Sequence, residues 1–158
     1  MTTTPFDDPT AFDRRWANVD PRAIGKLASA DLLLFIADHI QVSDRREGTV
    51  AVALRLFAGQ SSMLVVPDAP PNPSDAQCLT LLGQAIEGFP NPVCALGIVH
   101  HRRGSRVVSD SDRRWALALK AVSMAFDVEP LGVMARLYDG GLVRVPVPDE
   151  LPVDYLAS

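Results

Sequence analysis

The stretch Ala95–Trp115, ALGIVHHRRGSRVVSDSDRRW, decides how this chain is read. The apolar run that enters it, Val93–Val99, carries no charged residue and has the make-up of a strand covered on both faces of a sheet. It stops at His100 and His101. A basic segment containing Gly104 follows, and then Ser109 and Asp112 stand before an apolar pattern of helical period. Polar side chains gathered where a buried strand ends and a helix begins occupy the usual position of a site in an α/β protein.

Downstream, the pattern predicts a helix from about Asp110 to Phe126. Trp115, Ala118, Leu119, Val122, Ala125 and Phe126 fall on its core face, and Arg113, Arg114, Lys120 and Ser123 toward solvent. Asp127–Pro130 ends it, and Leu131–Tyr138 and Leu142–Val147 read as two strands joined across Asp139-Gly140-Gly141. Upstream, Ser29 is placed to cap a helix over Leu32–Ile40. TVAVALRLF (Thr49–Phe57) reads as a central strand, with Ser62–Val66 its neighbour across a turn at Gly59. Pro67–Pro73 is a rigid connection. Ser74 then caps a helix through about Glu87, with Cys78, Leu79, Leu82 and Ile86 on one face and Gly88 as its stop. The order α-β-β-α-β-loop-α-β-β predicts an α/β (α+β mixed) layer protein with a central mixed sheet flanked by helices.

Composition sets the frame for function. A chain of 158 residues, 47% hydrophobic and 22% charged, is expected to form a single globular domain with a real core. The expected division is an N-terminal arm over 1–28, pinned by Phe6, Phe12 and Trp16, a domain over 29–147, and a C-terminal tail over 148–158. A net charge of -4 gives no general attraction to nucleic acid or anionic membranes. Cys78 and Cys94 lie in apolar segments and read as reduced thiols. The start lacks a basic segment followed by an apolar one, and no apolar run approaches the roughly 20 residues of a membrane span, so a cytoplasmic protein is expected.

The chemistry-bearing residues allow more than one reading. Adjacent residues of a strand point to opposite faces, so His100 and His101 do not readily share one metal ion. His100 with Asp112 makes the economical metal pair, yet a zinc site usually needs three protein ligands; a strand-end histidine held by a hydrogen bond is the alternative. Ser109 and Asp112 also have the spacing of a capping box at a helix start. Arg102, Arg103, Arg106, Arg113 and Arg114 face only Asp110 and Asp112 in this stretch, so the segment is locally basic. Arg102, Arg103 and Arg106 around Gly104 are candidates for binding an anion or a partner, against the alternative of a solvated loop.

The segment VHHRRGSRVVSDSD resembles the signature of the JAB/JAMM metalloprotease-like superfamily, His-x-His-Pro-x-Gly followed by Ser-x-x-Asp. It is most similar to the RadC-like branch, which carries VHNHPSG and then PS-x-x-D. The helix at ASADLLLFIADHI, the strand TVAVALRLF, the helix near Ser74–Glu87, the strand ALGIV and the ending LGVMARLYDGGLVRVP follow the order that fold requires, over roughly Ala28–Val147. The resemblance implies a layered, cytidine-deaminase-like fold. In active members two histidines and the aspartate hold zinc, the serine supports the oxyanion, and an upstream glutamate polarises the attacking water. Here His100 matches the first histidine, Ser109 the serine and Asp112 the aspartate. Glu47 lies near the place of the general base, Arg102 stands at the second histidine and Arg103 at the proline.

A guanidinium is always charged and repels a divalent cation, so Arg102 opposes zinc and is expected to pair with Asp112 or Glu47 instead. The leading expectation is therefore a non-catalytic JAB/RadC-like binding or scaffold module without a cofactor, acting on a protein partner or a small anion. The alternative is a zinc-dependent peptide or isopeptide hydrolase with His100, His101 and Asp112 as ligands, Glu47 as base and Ser109 at the oxyanion. A nucleic-acid-associated factor using the arginine-rich loop is the third reading. A homodimer through an exposed strand edge is compatible with each.

Overall fold

The charge-free run at the centre of the sequence becomes β3 (Val93–Arg102), the middle one of the five described strands of a mixed sheet. The computed structural model describes residues 32–33, 36–37, 49–57, 61–66, 69–70 and 72–155. The N-terminal arm, the Ser29 cap, Glu47 and the Gly59 turn lie outside the described residues. β1 (Val50–Leu56) separates β3 from β2 (Ser61–Val66) and is antiparallel to both. On the other side β4 (Glu129–Leu137) runs parallel to β3, and β5 (Leu142–Val145) returns antiparallel to β4 across the Asp139-Gly140-Gly141 turn. The sheet order is thus β2-β1-β3-β4-β5.

Two helices are described over their full extent. α1 (Asp75–Gly88) connects β2 to β3, and α2 (Asp110–Phe126) supplies the crossover that a parallel β3–β4 pair requires. Both start in reciprocal capping boxes, Ser74 with Gln77 and Ser109 with Asp112. Both pack on one face of the sheet. There Val50, Val52 and Leu54 of β1, Leu96 and Ile98 of β3, and Val133, Ala135 and Leu137 of β4 meet Cys78, Leu82 and Ala85 of α1 and Trp115, Leu119 and Val122 of α2. The other face, Ala51, Ala53, Ala95, Val99, Leu131 and Met134, is covered by Leu32, Leu33, Ile36 and Ala37, which are helical. Small residues on that face let the covering helical residues come close. Among the described residues no helix is long and apolar enough to cross a membrane.

The mixed α/β class and the element order agree with the sequence pattern; several details differ. β3 runs on through His100, His101 and Arg102, which the sequence assigned to a strand end and a loop. β1 pairs with it as far as His100 and β4 as far as Arg102, so the backbone groups there still have partners. On α2 the buried stripe is Asp112, Trp115, Ala116, Ala118, Leu119, Val122 and Ser123. Ser123 is therefore inside, whereas Ala125 and Phe126 are exposed, because the packed face ends one turn before the left-handed Asp127 cap. Gly88 is the last residue of α1 rather than a residue beyond it, and Phe89 caps the helix in extended conformation. β4 begins at Glu129, two residues early, and accommodates Pro130 through an irregularity: Leu96 pairs with Pro130 but Gly97 with Gly132. Gly132 has φ 133°, a conformation open to glycine and hostile to other residues.

The C-terminal residues after β5 lie against the helices. Pro146 and Pro148 border α2 near Ala116 and Leu117, and Pro152, Asp154 and Tyr155 lie beside Ser74, Asp75 and Ala76 at the start of α1. Burial, helped by nearby Asp75, pushes the Tyr155 phenol up to about 12. Burial likewise raises the Cys78 thiol to about 12, so it is an inert core thiol rather than a nucleophile.

At Gly97 the sheet and the helical residues covering it meet closely. A Cβ there would come within 2.8 Å of Leu33 Cδ2 and 3.0 Å of Leu131 Cβ. Gly97→Ala is expected to lower unfolding free energy by about 1–3 kcal/mol, the usual cost of overpacking, measured by urea denaturation. Ala95→Gly on the same face, which removes atoms instead of adding them, is expected to leave no such steric strain and serves as the contrast.

Candidate functional site

Strand alternation aligns Leu96, Ile98, His100 and Arg102 on the helix side of β3, which aims the last two at the N-terminus of α2. Waiting there is Asp112, the third residue of the helix and fully buried. His100 Nε2 donates to its Oδ1 at 2.6 Å. Arg102 forms a fork, with Nε to Oδ1 and Nη2 to Oδ2, each at 2.8 Å. The backbone N–H of Ser109 donates to Oδ2 at 2.9 Å. A carboxylate offers about four acceptor positions, and these four donors use them.

Arg102 is equally saturated. Beyond its two bonds to Asp112, Nη1 donates to the carbonyls of Arg103 (3.0 Å) and Ser105 (3.1 Å), and Nη2 to that of Val107 (3.1 Å). All five guanidinium N–H groups therefore have acceptors. Three carbonyls from alternate residues of one loop converge on a single side chain, so the loop 103–108 is wrapped around Arg102. Gly104, at φ 110°, lets the loop turn this tightly; a Cβ there would stand 3.1 Å from Arg102 Nη1.

Electrostatics fix the protonation. Burial by itself would raise the Asp112 carboxyl, but the hydrogen bonds from His100, Arg102 and the Ser109 N–H outweigh it. The group is held well below the usual carboxylate range. Its negative charge also sits at the positive end of α2. An ionised carboxylate can only accept, so His100 must carry a proton on Nε2. Trp115, with its ring centroid 6.2 Å from that of His100, walls the pair from inside the core.

The remaining sequence candidates separate. His101 is buried on the opposite face, where its Nδ1 and its backbone N–H both donate to the carbonyl of Thr49, at 3.2 and 2.9 Å. It does not join His100 and Asp112. Ser109 Oγ accepts the Asp112 N–H at 3.1 Å and shares a hydrogen bond with Ser111 Oγ at 3.0 Å, so the hydroxyl serves the cap. Glu47 is outside the described residues. Arg103 and Arg106 are exposed. The Arg103 guanidinium lies 5.2 Å from the Tyr138 ring centroid, and that of Arg106 lies against Gly141, so both reach over the β4–β5 turn. Arg113 makes an exposed pair with Asp110 on the first turn of α2.

The residues fail the test for a divalent ion on their donor chemistry. The Asp112 lone pairs are used, the His100 nitrogen nearest them bears a proton, and a permanent cation lies 2.8 Å away on the same carboxylate. Among the described residues no three His, Cys, Asp or Glu side chains converge on a point. Three participants escaped sequence reasoning: the inward carbonyls of the loop, Thr49 and Tyr138. The alternation that put His100 and His101 apart also puts His100 and Arg102 together once β3 runs on that far. No family model matches the chain, and neither a curated protein nor a solved structure matches it significantly.

Magnitudes separate the roles of Asp112. Losing a helix cap costs about 1 kcal/mol, whereas leaving a buried charge without its partner costs about 3–5 kcal/mol. Arg102→Met and Asp112→Asn are each expected to lower stability by about that larger amount. A double variant, Arg102→Met with Asp112→Leu, should cost less than the sum of its singles in a double-mutant cycle by denaturation. Acid acts on the same contact. A carboxyl whose folded pKa lies below its ordinary 3.8 contributes its full stability above that value and loses it as pH falls toward the folded pKa. Stability of the natural sequence should therefore fall below about pH 4 more steeply than that of Asp112→Asn, compared by thermal melts across the acid range.

Proposed function

We propose that the chain is a JAB/JAMM-like domain of the RadC-like type whose metal position is filled by its own arginine. It acts in the cytoplasm as a binding or scaffold module and not as a hydrolase. The observation that carries this reading is the two-pronged pairing of Arg102 with Asp112. At the position where the resembling motif has its second histidine, this chain supplies the cation itself. The zinc-hydrolase alternative requires His101 to turn from the Thr49 carbonyl to the opposite face of the sheet, and Arg102 to leave five hydrogen bonds.

The buried pair and the capped helix hold the loop 103–108 in one shape, and that loop presents Arg103 and Arg106 to solvent. Two exposed guanidinium groups on a rigid loop suit a carboxylate-bearing protein segment or a small anion. Nucleic acid is the second reading, favoured by the stacking of Arg103 on the exposed ring of Tyr138. The net charge of -4 limits it to a local contact.

Metal content tests the proposal directly. Protein purified without added metal is expected to carry far less than stoichiometric zinc by elemental analysis, and added zinc is expected not to raise its melting temperature. Arg102→His, which removes the guanidinium and returns an imidazole to the motif, is expected to bind zinc where the natural sequence does not. Stoichiometric zinc on the natural sequence, lost in His100→Ala, overturns the reading.

A further inference from the structure

After Val145 the chain leaves the sheet, and no described residue beyond that point is buried. Every position from Pro146 to Tyr155 is exposed or half-buried, although the segment lies across both helices. Among the described residues no backbone hydrogen bond ties it to α1 or α2; the one made by the Tyr155 N–H, to the Pro152 carbonyl at 3.0 Å, is internal. Pro146, Pro148 and Pro152 have no N–H to offer. Val147 supplies the contact with the main core.

Packing beneath the segment is loose. A cleft of about 460 Å³ lies between Pro146, Pro148 and the α2 residues Ala116 and Leu117. A second, of about 470 Å³, lies between Pro152, Asp154, Tyr155 and the start of α1 at Ser74, Asp75 and Ala76, and Leu117 lines both. The far end is docked at a cost. The Tyr155 phenol O–H and Asp75 Oδ1 are each shut off from water without a hydrogen-bond partner, at the wall of the same cleft. A donor and an acceptor left unmade in the docked state would both be hydrated in a lifted one. Burial, then Asp75, then Cys78 keep that phenol neutral, so the fully buried Cys78 thiol lies close to this end.

We infer that Pro146–Tyr155 is a strap, hinged after Val145, that lifts off α1 and α2 while the sheet stays folded, and that the orphaned Tyr155 hydroxyl sets how often it lifts. Lifting joins the two clefts into one trough across Leu117 and uncovers Cys78. The balance is close because each side of it is small. Lifting loses partial apolar contact by residues that are nowhere fully enclosed; it gains chain entropy and the hydration of two stranded polar groups. Few buried contacts and no hydrogen bonds to the frame are the marks of a unit that opens below the free energy of global unfolding. Arg102 and Asp112 take no part, so the inference is independent of how their site is read.

Thiol modification under native conditions tests it on the full chain. Cys94→Ala removes the half-buried thiol and leaves Cys78 as the reporter. In that background, alkylation of Cys78 by iodoacetamide is followed by mass spectrometry across low urea concentrations. The rate is expected to be nearly independent of urea, as for a local opening that exposes little surface. Tyr155→Phe, which deletes the stranded hydroxyl and keeps the ring, should slow the modification at least about threefold. Tyr155→Ala, which removes the ring as well, should speed it at least about tenfold. Thermal melts establish that each variant is folded. A Cys78 that reacts only through global unfolding, with the full urea dependence, overturns the inference. A Tyr155→Phe rate equal to or above the natural one overturns it too, as does a Tyr155→Ala rate no higher than the natural one.

Discussion

A carboxylate sealed inside a protein must have its charge answered, and Asp112 is answered from four directions. His100 and Arg102 reach it from β3 and Ser109 from the cap of α2; the same guanidinium then gathers the loop between them. One ionised group thereby joins strand, loop and helix. Removing the negative charge would leave a guanidinium buried; removing the guanidinium would leave a carboxylate with only His100 and the Ser109 N–H as donors. Each half is tolerable because the other is present.

Under the proposed JAB/JAMM-like reading, this arrangement would keep the outline of a metal centre with a guanidinium bound to its carboxylate. The resembling motif brings imidazole and carboxylate together at a strand end and a helix start. Here the same carboxylate is also held by a side chain that is cationic at every physiological pH and rich in donors. A metal ion would need the same lone pairs. The guanidinium satisfies them in a flat, two-pronged geometry and spends its remaining donors on three loop carbonyls, so the outcome is a rigid loop. Exposed Arg103 and Arg106 ride on it beside the β4–β5 turn.

Much of this was legible in order of residues because it rests on local physics. Ser74 and Ser109 announce helices through caps that need only four residues. Asp139-Gly140-Gly141 marks a hairpin through its tolerance of positive φ, realised at Gly140. The charge-free Val93–Val99 announces a central strand. Details failed where neighbours in space decide. Nothing local says that β3 continues to Arg102, since that depends on β1 and β4 lying alongside. Phe126 looks like a core residue by period and is exposed because the packed face has already ended; Ser123 looks like a surface residue and is enclosed. The strand containing Pro130 begins two residues before its sequence pattern does, because a proline within a ladder is admissible where the register slips, as it does before Gly132.

By itself the sequence determined the mixed α/β class, the order of elements, the capped start of α2, and the separation of His100 from His101 by strand alternation. It also determined that a permanent cation stands two residues after His100; that the two share a face follows only from β3 running on to Arg102. Only the tertiary structure decided what that cation does. Arg102 and Asp112 are ten positions apart, and their meeting depends on β3 and α2 packing at one angle and depth, which periodicity does not encode. The three carbonyls that complete the guanidinium shell belong to backbone, whose direction no side-chain pattern reveals. The fold was therefore readable from residue types, whereas the site was set by where backbone and side chains converge.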